Sequence, residues 1–291
     1  MKMTVKACKS WSILINNLDL CFMSQINKYP WLVRMEGYYS GRWASMCGGT
    51  LVASKYVITA AHCVTLGQGS SVAKPADEIR TIIGDHNLFS SGEELIQPKT
   101  VNAKAITNHP SYTGDIGDGY DISIVELEEE VDLDIYTPAC LAKSDDATTF
   151  DGKTATVAGW GLDVNGNWPN PFVPHEVDVP VVESGECHWS RDRPSIICAG
   201  CDGCGAGAYR VNIYNLLFLS SLFFILQSDS GGPLTYKQGD QHVLIGDVSG
   251  GSPGGAGDTH FYARISFLRE WIDTQLGGAN YCPNGGPDTR S

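Results

Sequence analysis

The sequence predicts an all-β protein that ends in one helix, and three observations carry that prediction. The 291 residues include 33 glycines and 14 prolines, which supply many turns. From Tyr29 onward, short β-rich runs such as Trp31-Leu32-Val33, Tyr56-Val57-Ile58-Thr59, Ile122 to Leu127 and Thr154 to Ala158 alternate with turn clusters, the pattern of sandwiches and barrels. Near the end, Phe267, Leu268, Trp271, Ile272 and Leu276 recur at helical spacing and Gly277-Gly278 follow as a stop signal.

Hydrophobic residues make up 42% of the chain, enough for one large core or two modest ones. Acidic residues outnumber basic ones 33 to 20, and the net charge of −13 repels phosphate backbones and anionic lipid, so no nucleic-acid partner is expected. Ten cysteines, most of them far apart, indicate an oxidising compartment rather than zinc ligation. Cys198, Cys201 and Cys204 form a CxxCxxC run that could hold a metal or a cluster, but a fourth ligand is not evident. The start of the chain carries Lys2, Lys6 and Lys9, yet Ile13-Leu14-Ile15 is broken by Asn16, Asn17 and Asp19, so no convincing secretion signal is read there.

Two stretches differ from their surroundings: residues 1–25, and Val211 to Gln227, which reads VNIYNLLFLSSLFFILQ. The apolar centre of the second, Leu216 to Leu226, falls short of the about 20 residues a membrane span requires. A membrane anchor is therefore not expected.

Three local contexts carry chemistry. His62 ends CGGTLVASKYVITAAHC, in which Cys47 and Cys63 flank a strand and small Ala60 and Ala61 allow close backbone packing beneath the imidazole. Asp121 lies in GYDISIVEL, at the entry to a β-branched run, whereas Asp115 and Asp118 lie in a glycine-rich loop and read as solvated acids. Ser230 lies in SDSGGPL, whose glycines permit a tight turn that presents a hydroxyl and backbone N–H groups together. A serine, a base and a buried carboxylate are the parts needed for acyl transfer. Each residue alone would read as an ordinary structural or surface group; their contexts and chain order separate them from that reading.

Those three motifs, in the order His, Asp, Ser, resemble the trypsin/chymotrypsin-like serine endopeptidases, peptidase family S1. Gly84-Asp85-His86-Asn87, Pro138-Ala139-Cys140-Leu141, Ala158-Gly159-Trp160-Gly161 and Ile197-Cys198-Ala199-Gly200 extend the resemblance over Ile26 to Leu276. It implies two antiparallel six-stranded β-barrels with a C-terminal helix: a first barrel over 26–140, a second over 141–276 containing the apolar insert 211–227, an atypical segment 1–25 and a tail 277–291. It implies His62, Asp121 and Ser230 as the triad, with Ser228 and Ser230 N–H groups as the oxyanion hole. It also implies Asp229 as the residue linked to activation, Ser249, Gly250 and Gly251 as the strand that binds substrate backbone, and Cys47–Cys63 and Cys187–Cys198 as disulfides. No cofactor is expected. Some family members bind calcium near Asp85, Glu93 and Glu94, but these acids read as solvated and no metal is assigned. Protein or peptide substrates, protein protease inhibitors, an extracellular location and a monomer complete the expectation.

The sequence departs from the family in four places. The new N-terminus that pairs with Asp229 is usually Ile-Val-Gly-Gly, whereas NNLDLCFMSQ precedes INKYPW here, so the chain as written is expected to be zymogen-like and inactive. Val211 to Gln227 overfills the short gap before the nucleophile loop. Val-Asn at its start and Phe-Phe-Ile-Leu-Gln at its end are encodable as intron boundaries, so it reads as a retained intron, against the alternative of a lineage-specific insertion. Without it Gly207 becomes the pocket floor six residues before Ser230, which argues against cleavage after Arg or Lys; His260 and Asp258 lie near another pocket position. Ser228 replaces an expected glycine, and Tyr209 together with the cysteine-free stretch Gly250 to Gly257 drops both halves of one family disulfide. Partners for Cys8, Cys21, Cys140, Cys201, Cys204 and Cys282 are not fixed by sequence. The competing reading is a catalytically silent homologue that binds a protein partner; its usual mark, a missing triad residue, is absent.

Overall fold

The computed structural model describes the backbone of residues 21–23 and residues 26–88, 96–144, 150–161, 173–183, 186–187, 193–200, 229–251 and 259–279. Strands come in the order β1 (Cys21–Met23), β2 (Leu32–Tyr39), β3 (Arg42–Ala53), β4 (Tyr56–Thr59), β5 (Ile79–Ile83), β6 (Lys99–Asn108) and β7 (Ser123–Leu127). They continue as β8 (Cys140–Leu141), β9 (Thr154–Gly159), β10 (His175–Pro180), β11 (Ile196–Ala199), β12 (Pro233–Gln238), β13 (Gln241–Gly251) and β14 (His260–Arg264), before helix α1 (Ile265–Leu276).

Strands β2-β3-β4-β7-β6-β5 close into a six-stranded antiparallel barrel. Period-two alternation builds it: in β6, Val101 and Ala103 are buried while Asn102 and Lys104 face solvent. Val33, Met35, Leu51, Val57, Ile58, Ile79, Ile83 and Leu127 fill the interior with no exposed surface. On its wall, Arg34 donates to Asp85 at 2.7 Å and Arg80 to Glu36 at 2.6 Å. Asp85, expected to be solvated, is instead a 5%-exposed partner of that guanidinium, because an unpaired carboxylate would not survive burial there.

The second sheet runs β1-β10-β9-β12-β13-β14-β11, with β8 parallel to β13. It curls until β11 meets the end of β10 at the Val181–Ala199 bridge, with N–H bonds from Gly200 to Pro180 at 2.8 Å and from Val182 to Cys198 at 2.9 Å. The strand β1 pairs Cys21 to Met23 with Val177 to His175, so that part of the atypical N-terminal segment extends the second sheet.

The helix turns Ile265, Leu268, Ile272 and Leu276 into the core and leaves Phe267 44% exposed. Arg269, 5% exposed overall, donates to the carbonyls of Leu141 and Ala142 and to Asp273. Gly277, at φ +56°, ends the helix in the left-handed conformation that the glycine pair predicts. Among the described residues, no helix is long and apolar enough to cross a membrane. The segment 211–227 lies outside the described residues.

Candidate active site

Register brings the histidine and the aspartate together. Strands β4 and β7 pair Thr59 with Ser123, so the chain just beyond Thr59 runs beside the chain just before Ser123. A short 3-10 turn, Ala61–Cys63, then presents His62, while Ala60 and Ala61 are fully buried beneath it. The Asp121 carboxylate is 1% exposed and grips His62 twice: Oδ2 lies 2.7 Å from Nδ1, and Oδ1 accepts the His62 backbone N–H at 2.8 Å. Two bonds to one carboxylate fix both the ring and its turn. Asp115 and Asp118 are exposed, and each serves its own loop, accepting from the Gly117 N–H and the Thr113 hydroxyl respectively.

Tyr120, just before Asp121, holds φ +58°, a left-handed conformation that costs a residue with a side chain about 1–2 kcal/mol. Its ring stacks on His109 at 4.8 Å and leans on Phe267 at 6.2 Å, contacts that offset the strain. The exposed Phe267 therefore belongs to this brace. The sequence carries no local signal for it.

The serine comes from the second sheet. Ser230 sits in the turn before β12, 8% exposed, and its carbonyl accepts the Gly48 N–H from the first barrel at 2.8 Å. Gly231 and Val248 bond at 2.8 Å, and Val248 and Gly232 at 3.0 Å, so β13 clamps the turn. Gly231 is required by geometry: its φ is +77°, and a Cβ there would come within 2.3 Å of Thr59 Oγ1 and 2.6 Å of the Gly48 carbonyl. The Cys47–Cys63 disulfide lies between the two halves of the site: Cys63 Sγ is 3.8 Å from His62 Nε2 and 3.7 Å from the Ser230 carbonyl. Both are van der Waals contacts, since a disulfide sulfur has no proton to donate.

Asp229 accepts the Gly161 N–H at 2.8 Å. Its carboxylate fills the space where a side chain on Gly159 or Gly161 would stand, at 2.1 and 2.5 Å. Burial and the nearby Asp229 charge push the Tyr262 hydroxyl far above its usual range. Burial, then the charges of Asp121 and Asp115, do the same to Tyr112.

Ser249, 4% exposed, is the residue skipped between the pairs Val248–Tyr262 and Gly250–Phe261, a bulge at the end of β13. Gly251 pairs with His260, and a Cβ on it would lie 2.0 Å from His260 Nδ1. His260 is thus packed flat against that strand. Ser228, Gly207, Asp258, Glu93 and Glu94 lie outside the described residues.

Cys187 and Cys198 form a second disulfide, which removes Cys198 from any CxxCxxC metal site, and Cys140 is disulfide-bonded as well. Among the described residues, Cys47, His62 and Cys63 bring potential metal-binding atoms together, but both sulfurs are committed to their disulfide and offer no thiolate.

Comparison with known proteins places the chain in a family. The profile of the family described as Trypsin matches residues 22–210. Chymotrypsin-like elastase family member 1 of Canis lupus familiaris is 28% identical over 260 residues, covering 86% of this chain and 88% of its own length. Tryptase of Mus musculus is 29% identical over 265 residues, 84% of each chain, and Trypsin 5G1 of Aedes aegypti is 31% identical over 264 residues, 86% of this chain and 82% of its own. Matched over about two thirds of its length by that profile and over most of it by these relatives, the chain belongs to the trypsin-like serine protease family.

Proposed function

We propose that the protein is an extracellular serine endopeptidase that hydrolyses peptide bonds through an acyl-enzyme on Ser230. The observation that carries the reading is the doubly bonded, buried His62–Asp121 pair lying against the disulfide that also touches Ser230.

His62 takes the Ser230 hydroxyl proton as the oxygen attacks the scissile carbonyl. Asp121 holds the tautomer whose Nε2 is free to accept it and stabilises the imidazolium that results. Collapse of the tetrahedral adduct expels the amine, which receives the same proton. Water then repeats the sequence on the acyl-enzyme, and His62 again acts as base and acid. The developing oxyanion is held by the N–H groups of Ser228 and Ser230, and the substrate backbone lies along Ser249, Gly250 and Gly251.

Proteins or peptides are the substrates, protein protease inhibitors would occupy the same strand, and the disulfides suit an oxidising compartment. The enzyme works as a monomer, with Asp229 as the residue through which activation acts and Gly207 as the pocket floor once the 211–227 segment is removed.

The test is covalent labelling. A chain lacking Val211 to Gln227 and given an activation N-terminus should react with a serine-directed phosphonate, and Ser230→Ala should abolish the reaction. A folded chain that fails to label would favour a silent, partner-binding homologue.

A further inference from the structure

Helix α1 carries two stripes of side chains, and only one of them fills the core. Ile265, Leu268, Ile272 and Leu276 are buried, whereas Phe267, Glu270, Trp271 and Thr274 stand three and four residues apart on a neighbouring face that is exposed or half-buried. Facing that second stripe is His109, just beyond β6. Its place is fixed by the backbone: its N–H donates to the Ile122 carbonyl at 3.0 Å, and its carbonyl accepts the Tyr112 N–H at 2.9 Å. His109, Phe267, Leu268, Glu270, Trp271 and Thr274 line a surface cleft of about 310 Å³. That volume lies at the lower end of the roughly 300–1,000 Å³ of sites that hold small organic groups.

The walls of the cleft are aromatic. The His109 ring lies 4.8 Å from that of Tyr120 and 4.8 Å from that of Trp271, and Phe267, 44% exposed, leans on Tyr120 at 6.2 Å. His109 is neutral, because its Nδ1 accepts the Ser111 N–H at 3.1 Å, which requires an unprotonated nitrogen; burial pushes its pKa down as well. Thr274 spends its hydroxyl proton on the Glu270 backbone carbonyl at 2.8 Å. The adjacent Arg269 is buried and committed to Asp273 and two carbonyls. The Glu270 carboxylate is therefore the one formal charge among the lining residues. Aromatic faces carry partial negative charge, and with that carboxylate and a net charge of −13 the cleft attracts cations and repels anions. A planar guanidinium fits it better than an ammonium, since it stacks on an indole and offers a fork of N–H donors to a carboxylate at the same time. Phe267, Glu270 and Thr274 are all exposed, so the opening suits a side chain that protrudes from a larger body.

We propose that this cleft, apart from His62, Asp121 and Ser230, is a docking site for an arginine side chain of a polypeptide partner. The guanidinium lies over Trp271 and donates to Glu270, and the methylenes of the arginine pack on Phe267. The site does not depend on the serine-peptidase reading, because none of its lining residues takes part in that chemistry.

The experiment is an NMR titration of the full chain carrying Ser230→Ala, so that no peptide is consumed, labelled with ¹⁵N at histidine rings and tryptophan indoles. The probe is acetyl-Gly-Gly-Arg-Gly-Gly-amide, and the control is the same peptide with citrulline, which keeps the shape of arginine and removes its charge. The His109 and Trp271 resonances, assigned with His109→Gln and Trp271→Phe, should shift together and saturate with the arginine peptide, at an affinity at least about fivefold above that for citrulline. Glu270→Gln, a change at an exposed position, should weaken the arginine peptide about threefold, and Trp271→Leu, read at His109, about fivefold. The proposal is overturned if the two peptides bind equally, if neither moves these resonances, if the arginine peptide moves only other tryptophans, or if Glu270→Gln binds it unchanged. The comparison of two peptides on one protein decides the matter even if Trp271→Leu does not fold. Failure of Ser230 to label with phosphonate would count against the peptidase reading and not against this one, which is read at His109 and Trp271.

Discussion

Asp247, near the end of β13, has neither carboxylate oxygen hydrogen-bonded among the described residues, and it makes a prediction about stability that is independent of catalysis. Its carboxyl is fully buried and holds its proton far more tightly in the native state than in the unfolded chain, where the ordinary value of about 3.9 applies. The native pKa is raised, so between the two values the native state carries a proton that the unfolded state has lost. Stability is therefore complete below about pH 4 and falls as pH rises through that window. The slope is about 1.4 kcal/mol per pH unit and persists until the native carboxyl itself ionises. Asp247→Asn keeps the volume and removes the proton.

Relative to that variant, the wild type should lose stability steadily as pH rises above about 4, for as long as the native carboxyl keeps its proton. The amide has its own cost, because its donors are no better satisfied than the acid, but that cost does not depend on pH. The informative quantity is thus the slope of the difference rather than its offset. Urea unfolding at closely spaced pH values, with the disulfides intact, measures it directly. Parallel curves for the two proteins from pH 4 to pH 8 would refute the reasoning.

Other perturbations test the site itself. Asp121→Asn should lower kcat by about 10⁴-fold with little change in KM, because the amide no longer enforces the tautomer that exposes a basic Nε2; steady-state kinetics on a peptide substrate reads it. Gly231→Ala should cost at least about 1–2 kcal/mol from its φ alone, and its overlap with Thr59 and Gly48 should slow phosphonate labelling as well as lower the unfolding midpoint in urea. Replacing both Cys47 and Cys63 by serine opens a loop of 16 residues and should remove about 3 kcal/mol, seen as a fall in Tm of roughly 6–12 °C by calorimetry. Gly251→Ala drives a methyl into the His260 ring and should reduce kcat/KM by about 10²-fold while leaving Asp121 and His62 in place.

The surroundings of His62, Asp121 and Ser230 were legible because their close packing needs neighbours that themselves leave a mark on the sequence. Ala60 and Ala61 are small because the turn under His62 has no room, and Gly231 and Gly232 are glycines because two backbones meet there. The helix was legible from its apolar spacing, although that spacing included Phe267, which is exposed and braces Tyr120 instead of filling the core. Asp85 read as a solvated acid because its partner Arg34 lies far off in sequence, on a strand paired with the one that leads to Asp85. Asp247 left no sign beyond an acid in an apolar run, since burial of a single side chain depends on which sheet face it takes and on what covers that face. Such properties arise from pairing between distant segments, and local pattern does not encode them.

The division of the site between two sheets has a mechanical consequence. His62 and Asp121 are bonded to each other within the first barrel, by the β4–β7 register and two hydrogen bonds. Ser230 depends on both: its carbonyl is tied to Gly48 in the first barrel, and the glycines that follow it are tied to Val248 in the second. A change that shifts one sheet against the other, or reshapes the chain just before Asp229, therefore moves Ser230 while leaving the two His62–Asp121 bonds in place. In the reaction proposed above, attack by Ser230 requires alignment to a fraction of an ångström, so such a change would act through the serine side of the site. The carboxylate of Asp229, seated on Gly159 and Gly161 of the second sheet, lies one residue from Ser230, so the activation role proposed for it would act there directly.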